Sequence, residues 1–258
     1  MPDVLSVRGV ARLRRFVKDR VLLAFDFDGT LAPIVPHPPD AMIRENTAAL
    51  LGGLLAYFPV VVISGREVRD VRARLRGVQV PTIVGNHGVE PSPFMKQAEE
   101  SVERWLAAVE ALASDHAGVE VENKRQSLAI HFRHAASASV AEAAIRAVVD
   151  GLPGARVVSG LFVVNVVPEG APHKGDALLR LMAEHHVDGT LFVGDDVTDE
   201  DAFGVLDPTH SIGIRIGRTK ETAAQYFLQS QSHIDHLIGT LIAMRQEAAL
   251  STPAVSAS

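Results

Sequence analysis

Short apolar runs that alternate with helix-length segments constrain the fold of this chain more than any other feature. Five such runs occur, at residues 21–27, 60–63, 82–84, 190–193 and 211–216. Each is continuously apolar rather than alternating, which is typical of strands buried on both faces. The segments between them have the spacing of βαβ units, and we predict one helix opened by residues 38–40 and another over residues 66–76. The pattern predicts an α/β fold with a doubly wound, Rossmann-like parallel sheet as its core.

The middle of the chain has a different pattern. Pro91 and Pro93 interrupt it, and an order of helix, hairpin, helix and hairpin follows. The predicted elements are helices over about 97–116 and 137–149 and strands over 119–123, 127–132, 156–159 and 161–166, with a turn at Gly160. Such an order indicates an antiparallel α+β unit. We therefore predict a cap domain at residues 89–170, inserted into a core domain of residues 1–88 and 171–258.

Composition and charge narrow the classes of function. The 258 residues include no cysteine, which rules out disulfides and thiolate metal sites and agrees with a cytoplasmic location. The formal net charge of −6 argues against nucleic acid or an anionic membrane as the main partner. The apolar stretch 48–63 is too short to span a bilayer. The basic segment 7–20 fits a first helix better than a transit peptide because a strand follows at once, and the small, polar tail 248–258 is expected to be disordered.

Charged and hydroxyl side chains follow the ends of the predicted core strands. Strand one delivers Asp26 and Asp28, the second ends in the letters SGR at residues 64–66, and a later strand ends in GDDVTDED. Ligands bind at the carboxyl ends of the strands in such sheets. Clustered carboxylates repel one another unless a cation neutralises them, and an all-oxygen set favours Mg²⁺. With Lys174 and the Ser64 hydroxyl nearby, the pattern predicts a site for a phosphoryl group.

These motifs carry a resemblance to a known family. DFDGTL, SGR, the lysine of HKG and GDDVTDEDAF resemble, in order, the four motifs of the haloacid dehalogenase superfamily phosphatases. Together, DFDGTLAPI, GNHGVE, SLAIHFR and GDDVTDEDAF most resemble the trehalose-6-phosphate phosphatase family. The resemblance extends over nearly the whole chain, and it implies a phosphoric monoester hydrolase with a small-molecule sugar phosphate as its partner. No obligate protein partner is evident from the sequence.

The resemblance also implies roles for residues of the core. Asp26 is expected to be the nucleophile that forms an aspartyl-phosphate, and Asp28 the acid and base. Mg²⁺ is expected to be held by Asp26, the backbone carbonyl of Asp28 and Asp195, with Asp199 either alongside them or behind them, in contact with the ligands but not with the metal. The expected contacts with the phosphoryl group and the substrate are made by Lys174, Ser64, Gly65 and Arg66, with Thr30 shaping the loop and Glu90 supplying the acid of the GxHGxE motif.

The cap is expected to contact the sugar through Lys124, His131, Arg133 and Asn165. Relatives often carry Glu-x-Arg-Pro on the last cap strand, where this chain reads NVVP at residues 165–168. The reaction does not depend on that position, but the choice of sugar does. Trehalose 6-phosphate is therefore the first candidate substrate. Another phosphorylated disaccharide or pseudo-disaccharide, or a glycosyl phosphoglycerate, is the second, and a noncatalytic sugar-phosphate-binding regulator is the alternative from another class.

Structural interpretations stand beside these functional ones. Asp26 and Asp28 alone fit a turn after a strand. Thr198 or Asp199 is expected to cap a short acidic helix. The arginines of residues 66–76 lie on one face of a helix and fit a solvated surface better than a nucleic-acid site, apart from Arg66. His131 and His134 fit a hairpin edge better than a metal pair.

Overall fold

A computed structural model describes residues 1–160 and 162–250 as a parallel and an antiparallel sheet with eight helices. In chain order the elements are α1 (Val7–Phe16), β1 (Val21–Phe25), α2 (Glu45–Leu54), β2 (Val60–Ile63), α3 (Val68–Arg74), β3 (Thr82–Val84), α4 (Met95–Asp115), β4 (Glu120–Asn123), β5 (Leu128–His131), α5 (Ala138–Val149), β6 (Ala155–Gly160), β7 (Val163–Pro168), α6 (Lys174–Glu184), β8 (Gly189–Gly194), α7 (Glu200–Gly204), β9 (Ile212–Ile216), β10 (Tyr226–Leu228) and α8 (Ile234–Leu250).

The parallel sheet has six strands in the order β10-β9-β8-β1-β2-β3. Its central strand, β1, pairs with β2 on one side and β8 on the other, and all five of its residues are buried. Leu23 and Phe25 pack with α1, α2 and α8, whereas Leu22 and Ala24 pack with α6 and α7. Helices therefore cover both faces, which is why the strands are continuously apolar. The predicted fold class is confirmed.

The structure corrects several predicted elements of this sheet. Residues 38–40 form a single 3₁₀ turn, and the helix begins only at Glu45, since the two prolines lack the backbone N–H groups that a helix interior requires. The strand β10 was not predicted. The first helix is confirmed, and the Ser6 hydroxyl accepts a hydrogen bond from the Gly9 N–H at its start.

The antiparallel sheet has the order β4-β5-β7-β6. The helices α4 and α5 cover one of its faces, where Trp105 and Ile145 pack against Leu128 and Val166. The Trp105 indole N–H donates to the carbonyl of Pro153 at 3.1 Å. Because neighbouring side chains alternate between the faces of a strand, the opposite face carries the neighbours of these apolar residues. We call that opposite face the open face of the cap sheet.

The open face lies against the core. Its Ala129 and Val167 are fully buried, although the helices of the cap lie on the other side of the sheet. The Lys124 ammonium donates to the Gly65 carbonyl of the core at 3.3 Å, and β6 contacts the 3₁₀ turn Val197–Asp199. The antiparallel strands fall within the predicted range 89–170, and the boundaries of the two domains remain predictions.

The C-terminal region departs from the expectation for a disordered tail. The helix α8 extends to Leu250, because alanine and leucine are good helix formers. Residues 251–258 lie outside the described residues, as does Leu161. Within the described residues, no helix combines the length and the apolar character that crossing a membrane requires.

Candidate active site

The carboxyl ends of three adjacent strands bring the predicted core residues together. Asp26 follows β1, Ser64 follows β2 and Asp195 follows β8, and these strands are neighbours in the sheet. Lys174 is the first residue of α6, whose N-terminus is capped by His173 and Asp176. Strand order and parallel direction therefore place these side chains at one edge of the sheet, as the sequence predicted.

Lys174 is the cation at the centre of this cluster. Its ammonium donates to Asp26 Oδ1 and to Asp199 Oδ1, each at 2.7 Å, and it is 2% exposed. Burial acts to lower the pKa of Lys174, but the carboxylates of Asp199 and Asp26 outweigh it and raise the pKa above its ordinary value. The lysine is therefore charged, and it holds two buried carboxylates in place.

Asp199 is fully buried and satisfies two further donors. Its Oδ2 accepts from the backbone N–H groups of Asp195 and Asp196, at 2.8 and 2.9 Å. The prediction that Thr198 or Asp199 caps the following helix holds only for position: Asp199 is the N-cap residue of α7, but its side chain makes no capping hydrogen bond there and instead completes the capping box of the turn Val197–Asp199, whose N-cap is Asp196. Asp199 is thus fixed by the backbone on one side and by Lys174 on the other.

Three carboxylates form a group that can hold a metal ion. One oxygen each from Asp26, Asp195 and Asp199 lies within 4.8 Å of the others. Burial raises the pKa of Asp26 well above its ordinary value, with Lys174 opposing and Asp199 and Asp195 adding to the effect. Burial, followed by Asp199 and Asp196, raises the pKa of Asp195 to about 7. Two buried carboxylates and a half-buried one, with a single lysine, leave an excess of negative charge that a divalent cation balances.

The donor set fits a hard cation. All of its members are oxygens, the ligands that Mg²⁺ prefers. The neighbouring Gly29 has a φ of 75°, and a Cβ there would lie 2.0 Å from Asp195 Oδ2. Only glycine therefore allows the DFDGT loop to approach the Asp195 carboxylate so closely. The residues present fit a magnesium site.

The Asp28 carboxylate forms an ion pair with an arginine and is not one of the three carboxylates that can hold the metal ion. Arg66 Nε donates to Asp28 Oδ2 at 2.6 Å and Arg66 Nη2 to Asp28 Oδ1 at 2.8 Å, a bidentate pair. The guanidinium also donates to Asp70 at 2.7 Å. Burial acts to lower the pKa of Arg66, but Asp28 and Asp70 raise it overall. Arg66, predicted to contact the substrate, thus orients Asp28 in this structure.

Hydroxyl groups line the same edge. Thr30 is fully buried, and its Oγ1 lies 3.5 Å from Asp195 Oδ1, while Gln231 donates to its carbonyl at 3.0 Å. Ser64 is buried, and its Oγ accepts from the Arg66 N–H at 3.2 Å. Both residues lie where the sequence predicted, next to the carboxylates and at the start of the SGR loop.

Glu90 accepts a hydrogen bond from the backbone of the core. Its Oε2 accepts from the Val68 N–H at 2.9 Å, at the first residue of α3, and from the Asn86 side chain at 3.3 Å. The Asn86 amide also donates to Gln126 and accepts from Ser127, both in the cap. Glu90, predicted to contact the substrate, therefore stabilises the loop that carries the SGR motif.

The four predicted cap residues do not all come together: Lys124 and His131 both contact Glu122 Oε2, at 3.8 and 3.0 Å, whereas Arg133 does not join them. Lys124 and Asn165 lie at the junction with the core, and Asn165 Nδ2 donates to the Val158 carbonyl at 3.3 Å on the neighbouring strand. His131 pairs with Glu122 across the β4–β5 hairpin at 3.0 Å, which agrees with a hairpin edge. Arg133 is exposed, and its guanidinium stacks over Phe162 at 5.2 Å.

Sequence reasoning missed His87, a buried residue between the SGR loop and the cap. The signal was present in the motif GNHGVE, from which only Glu90 was selected. A single histidine in a loop does not indicate a functional site by its residue type. The position of His87 beside Gly65 depends on how its turn packs against the SGR loop, which the sequence pattern does not show.

Comparison with known proteins agrees with this geometry. The model of the trehalose-phosphatase family matches residues 24–232. Trehalose-phosphate phosphatases of Mycobacterium bovis and Mycobacterium tuberculosis are 31% identical over 277 residues, with 97% of this chain and 68% of theirs aligned. A Mycobacterium tuberculosis protein described as an uncharacterized glycosyl hydrolase is 35% identical over 271 residues, which cover 96% of this chain and 20% of that protein.

Among solved structures, the C-terminal domain of a Candida albicans trehalose-6-phosphate phosphatase matches with a TM-score of 0.77 and 21% identity. The match covers 94% of this chain and 98% of that domain, and it shows a shared fold. The family match extends from β1 to the turn before α8 and includes every residue of the carboxylate–lysine cluster. The chain belongs to the trehalose-phosphatase family, a family of phosphoric monoester hydrolases.

Proposed function

We propose that this protein is a Mg²⁺-dependent phosphatase that hydrolyses trehalose 6-phosphate to trehalose and phosphate through an aspartyl-phosphate on Asp26. The observation that carries the proposal is the buried cluster in which Lys174 bridges Asp26 and Asp199 at 2.7 Å, with Asp195 beside them. Such a cluster binds a phosphoryl group through a fixed cation and a metal ion, and it presents one carboxylate as the nucleophile.

In the first step, a carboxylate oxygen of Asp26 attacks phosphorus while the bond from phosphorus to the sugar oxygen breaks. Asp28 gives a proton to the departing oxygen. In the second step, Asp28 takes a proton from a water molecule, which attacks the same phosphorus and releases phosphate and the Asp26 carboxylate. Arg66 orients Asp28 for both steps through its two hydrogen bonds.

The remaining groups neutralise charge and hold position. Lys174 restrains the Asp26 carboxylate and balances negative charge on the phosphoryl oxygens, and the Ser64 hydroxyl donates to one of them. Asp26, Asp195 and the backbone carbonyl of Asp28, with Asp199 beside them, would hold Mg²⁺, which would supply further positive charge against those oxygens. Much of the acceleration of phosphate-monoester hydrolysis comes from such positioning and charge neutralisation.

The choice of trehalose 6-phosphate depends on the family and on its named relatives. Asn165 and Val167 depart from the commoner residues of the cap, so another phosphorylated disaccharide or pseudo-disaccharide, or a glycosyl phosphoglycerate, is the second candidate. A noncatalytic regulator is disfavoured because the cluster of Asp26, Lys174 and Asp199 is complete.

The test is phosphate release from trehalose 6-phosphate by the purified protein with Mg²⁺, with Mg²⁺ removed by a chelator, and after its return. We expect activity only in the first and third conditions. A panel of phosphorylated disaccharides and glycosyl phosphoglycerates is measured in parallel. If kcat/KM on one of these compounds is higher than on trehalose 6-phosphate, that compound becomes the proposed substrate. An aryl phosphate separates the classes, because a noncatalytic regulator would release no phosphate from it.

A further inference from the structure

His87 lies in a turn that the core holds in an unusual conformation. Residues 86–88 form a 3₁₀ turn in which Asn86 and His87 have φ values of 48° and 59°. The backbone N–H of His87 donates to the Ser64 carbonyl at 3.0 Å, and that of Asn86 to the Arg66 carbonyl at 2.9 Å. Left-handed conformations are costly for residues other than glycine. The SGR loop therefore fixes where the His87 side chain lies.

The imidazole packs directly against the SGR loop. A Cβ at Gly65 would lie 2.5 Å from His87 Cε1 and 2.8 Å from Nε2, so the ring occupies the space that a side chain at residue 65 would need. Gly65 follows Ser64, which we assign to the phosphoryl group. The ring therefore packs against the residue that follows Ser64, close to the expected position of the phosphate. It lies on the side of the SGR loop that faces the cap.

Both ring nitrogens of His87 are buried and have no partner at good hydrogen-bond geometry among the described residues, although the Asn165 side chain is near enough to interact weakly with the ring. The residue is only 9% exposed. A buried polar group without a partner destabilises the folded protein, and such groups are rare in folded proteins outside functional sites. A ring without a well-placed partner in a strained turn thus indicates a site that a ligand completes.

The surroundings of the ring indicate the kind of ligand. Burial lowers the pKa of His87 well below its ordinary value, and the charges of Lys174, Lys124 and Arg156 lower it further, while a weak hydrogen-bonding interaction with the Asn165 side chain opposes the effect. A neutral imidazole has one donor and one acceptor. A phosphoryl oxygen is only an acceptor and is better served by these cations, whereas a hydroxyl is both donor and acceptor and matches the ring.

We propose that His87 contacts the sugar part of the substrate, with its imidazole hydrogen-bonded to a ring hydroxyl of the phosphorylated sugar unit. The proposal rests on the proposed sugar-phosphatase function. It assigns a sugar contact to the core domain, in addition to those expected from the cap. His87 thereby selects a substrate with a hydroxyl close to its phosphate.

The test compares His87→Phe with wild type on trehalose 6-phosphate and on 4-nitrophenyl phosphate, which has no sugar hydroxyl. Phenylalanine keeps the ring and removes both nitrogens. We expect kcat/KM on trehalose 6-phosphate to fall about ten- to a hundredfold, and at least about ten times more than on the aryl phosphate. His87→Asn should recover part of the loss, because asparagine has a donor and an acceptor and tolerates the left-handed backbone.

His186→Phe is the matched control. His186 is exposed and has a φ of 50°, so His186→Phe is the same substitution at the same kind of backbone position. We expect it to keep wild-type activity on both substrates. If His87→Phe does not fold, His87→Gly gives the same comparison, because glycine adopts the left-handed backbone without strain.

Equal losses on the two substrates, or no loss on either, would overturn the assignment of His87. The wild-type protein tests the proposed function separately. If it hydrolyses another sugar phosphate but not trehalose 6-phosphate, the substrate proposal is wrong, and the His87 comparison is made on the sugar phosphate that it does hydrolyse. If the wild type hydrolyses none, both proposals fail.

Discussion

The two surfaces that meet at the candidate site hold their polar groups in different ways. At the edge of the core sheet, charged side chains bind one another tightly, as in the contacts of Lys174 with Asp26 and Asp199 and of Arg66 with Asp28. On the open face of the cap sheet the contacts of Asn165 and Lys124 are longer: each donates to a backbone carbonyl at 3.3 Å. The core is thus organised before any substrate binds, whereas the cap keeps hydrogen-bonding capacity for a ligand.

This difference distinguishes the charged groups that act on phosphorus from the groups that select the sugar, namely the cap residues and His87. A group that acts on phosphorus should matter for every phosphate ester, because the reacting bond is the same. A group that contacts the sugar should matter only for sugar phosphates. Substitutions in the two regions, measured on a sugar phosphate and on an aryl phosphate, can therefore confirm or break the comparison.

The largest expected effect is that of Asp26→Asn. An amide does not form an acyl phosphate, so turnover should be lost on both substrates while the fold is retained. Steady-state phosphate release and a melting curve check this. Asp201→Asn removes an exposed acid of the same motif and should behave like wild type. Turnover by Asp26→Asn within about tenfold of wild type would contradict its role as the nucleophile.

Asp28→Asn should have the next largest effect, a loss of about 10²–10⁴-fold on trehalose 6-phosphate, as expected for removal of an acid and base. The loss should be smaller on 4-nitrophenyl phosphate, whose leaving group needs no proton. The ratio of kcat values on the two substrates is the measurement. Equal losses would count against Asp28 as the acid.

Asn165→Ala tests the cap. If Asn165 contacts the sugar, kcat/KM on the true substrate should fall about ten- to a hundredfold, with little change on the aryl phosphate. Asn165→Glu, which restores the commoner family residue, should raise activity on trehalose 6-phosphate if the native substrate is another sugar phosphate.

The contact of Asn165 with the Val158 carbonyl supports a structural alternative. Under that alternative, both substitutions would lower the melting temperature and affect the two substrates alike. Kinetics and melting curves together therefore separate a sugar contact from support of the β6–β7 pairing.

The smallest expected effect concerns Asp70, which lies behind Arg66. Burial acts to raise the pKa of Asp70, but hydrogen bonds from Arg74 and Arg66 outweigh it and lower the pKa below its ordinary value. A lowered carboxyl pKa adds stability above the unfolded pKa, and that stability is lost as the pH falls through the folded pKa.

Asp70→Asn should therefore lower the free energy of unfolding at about pH 7 by at most about 1 kcal/mol, because water screens this partly exposed pair. The difference from wild type should shrink at about pH 3. Urea unfolding at the two pH values measures it. A difference that does not change with pH would mean that the carboxylate charge is not the cause.

The core of the site was predictable from the sequence for a physical reason. Asp26 and Asp195 directly follow buried strands, and parallel neighbours deliver such residues to one edge. Strand position alone therefore specifies their proximity. The same argument predicted the parallel sheet, since runs such as residues 60–63 are apolar on both faces.

The cap contacts were less predictable, because they depend on how two units dock. Arg133 lies beside SLAIH in the sequence, yet it stacks on Phe162 at the exposed end of the hairpin. Glu90 serves the backbone of α3, and His87, three residues before it, faces the cap. Within one short turn, the direction of each side chain depends on left-handed backbone angles that no periodic pattern reveals.

A covalent phosphoryl group on Asp26 tests the central claim most directly. In Asp28→Asn supplied with an aryl phosphate, the first step needs no proton from residue 28, whereas the second step lacks its base. We expect intact-protein mass spectrometry after rapid quenching to show one added phosphoryl group per chain, and borohydride reduction to map it to the peptide that contains Asp26. The doubly substituted Asp26→Asn, Asp28→Asn chain should show none. A phosphoryl group on another residue, or no adduct while phosphate is still released, would contradict the account.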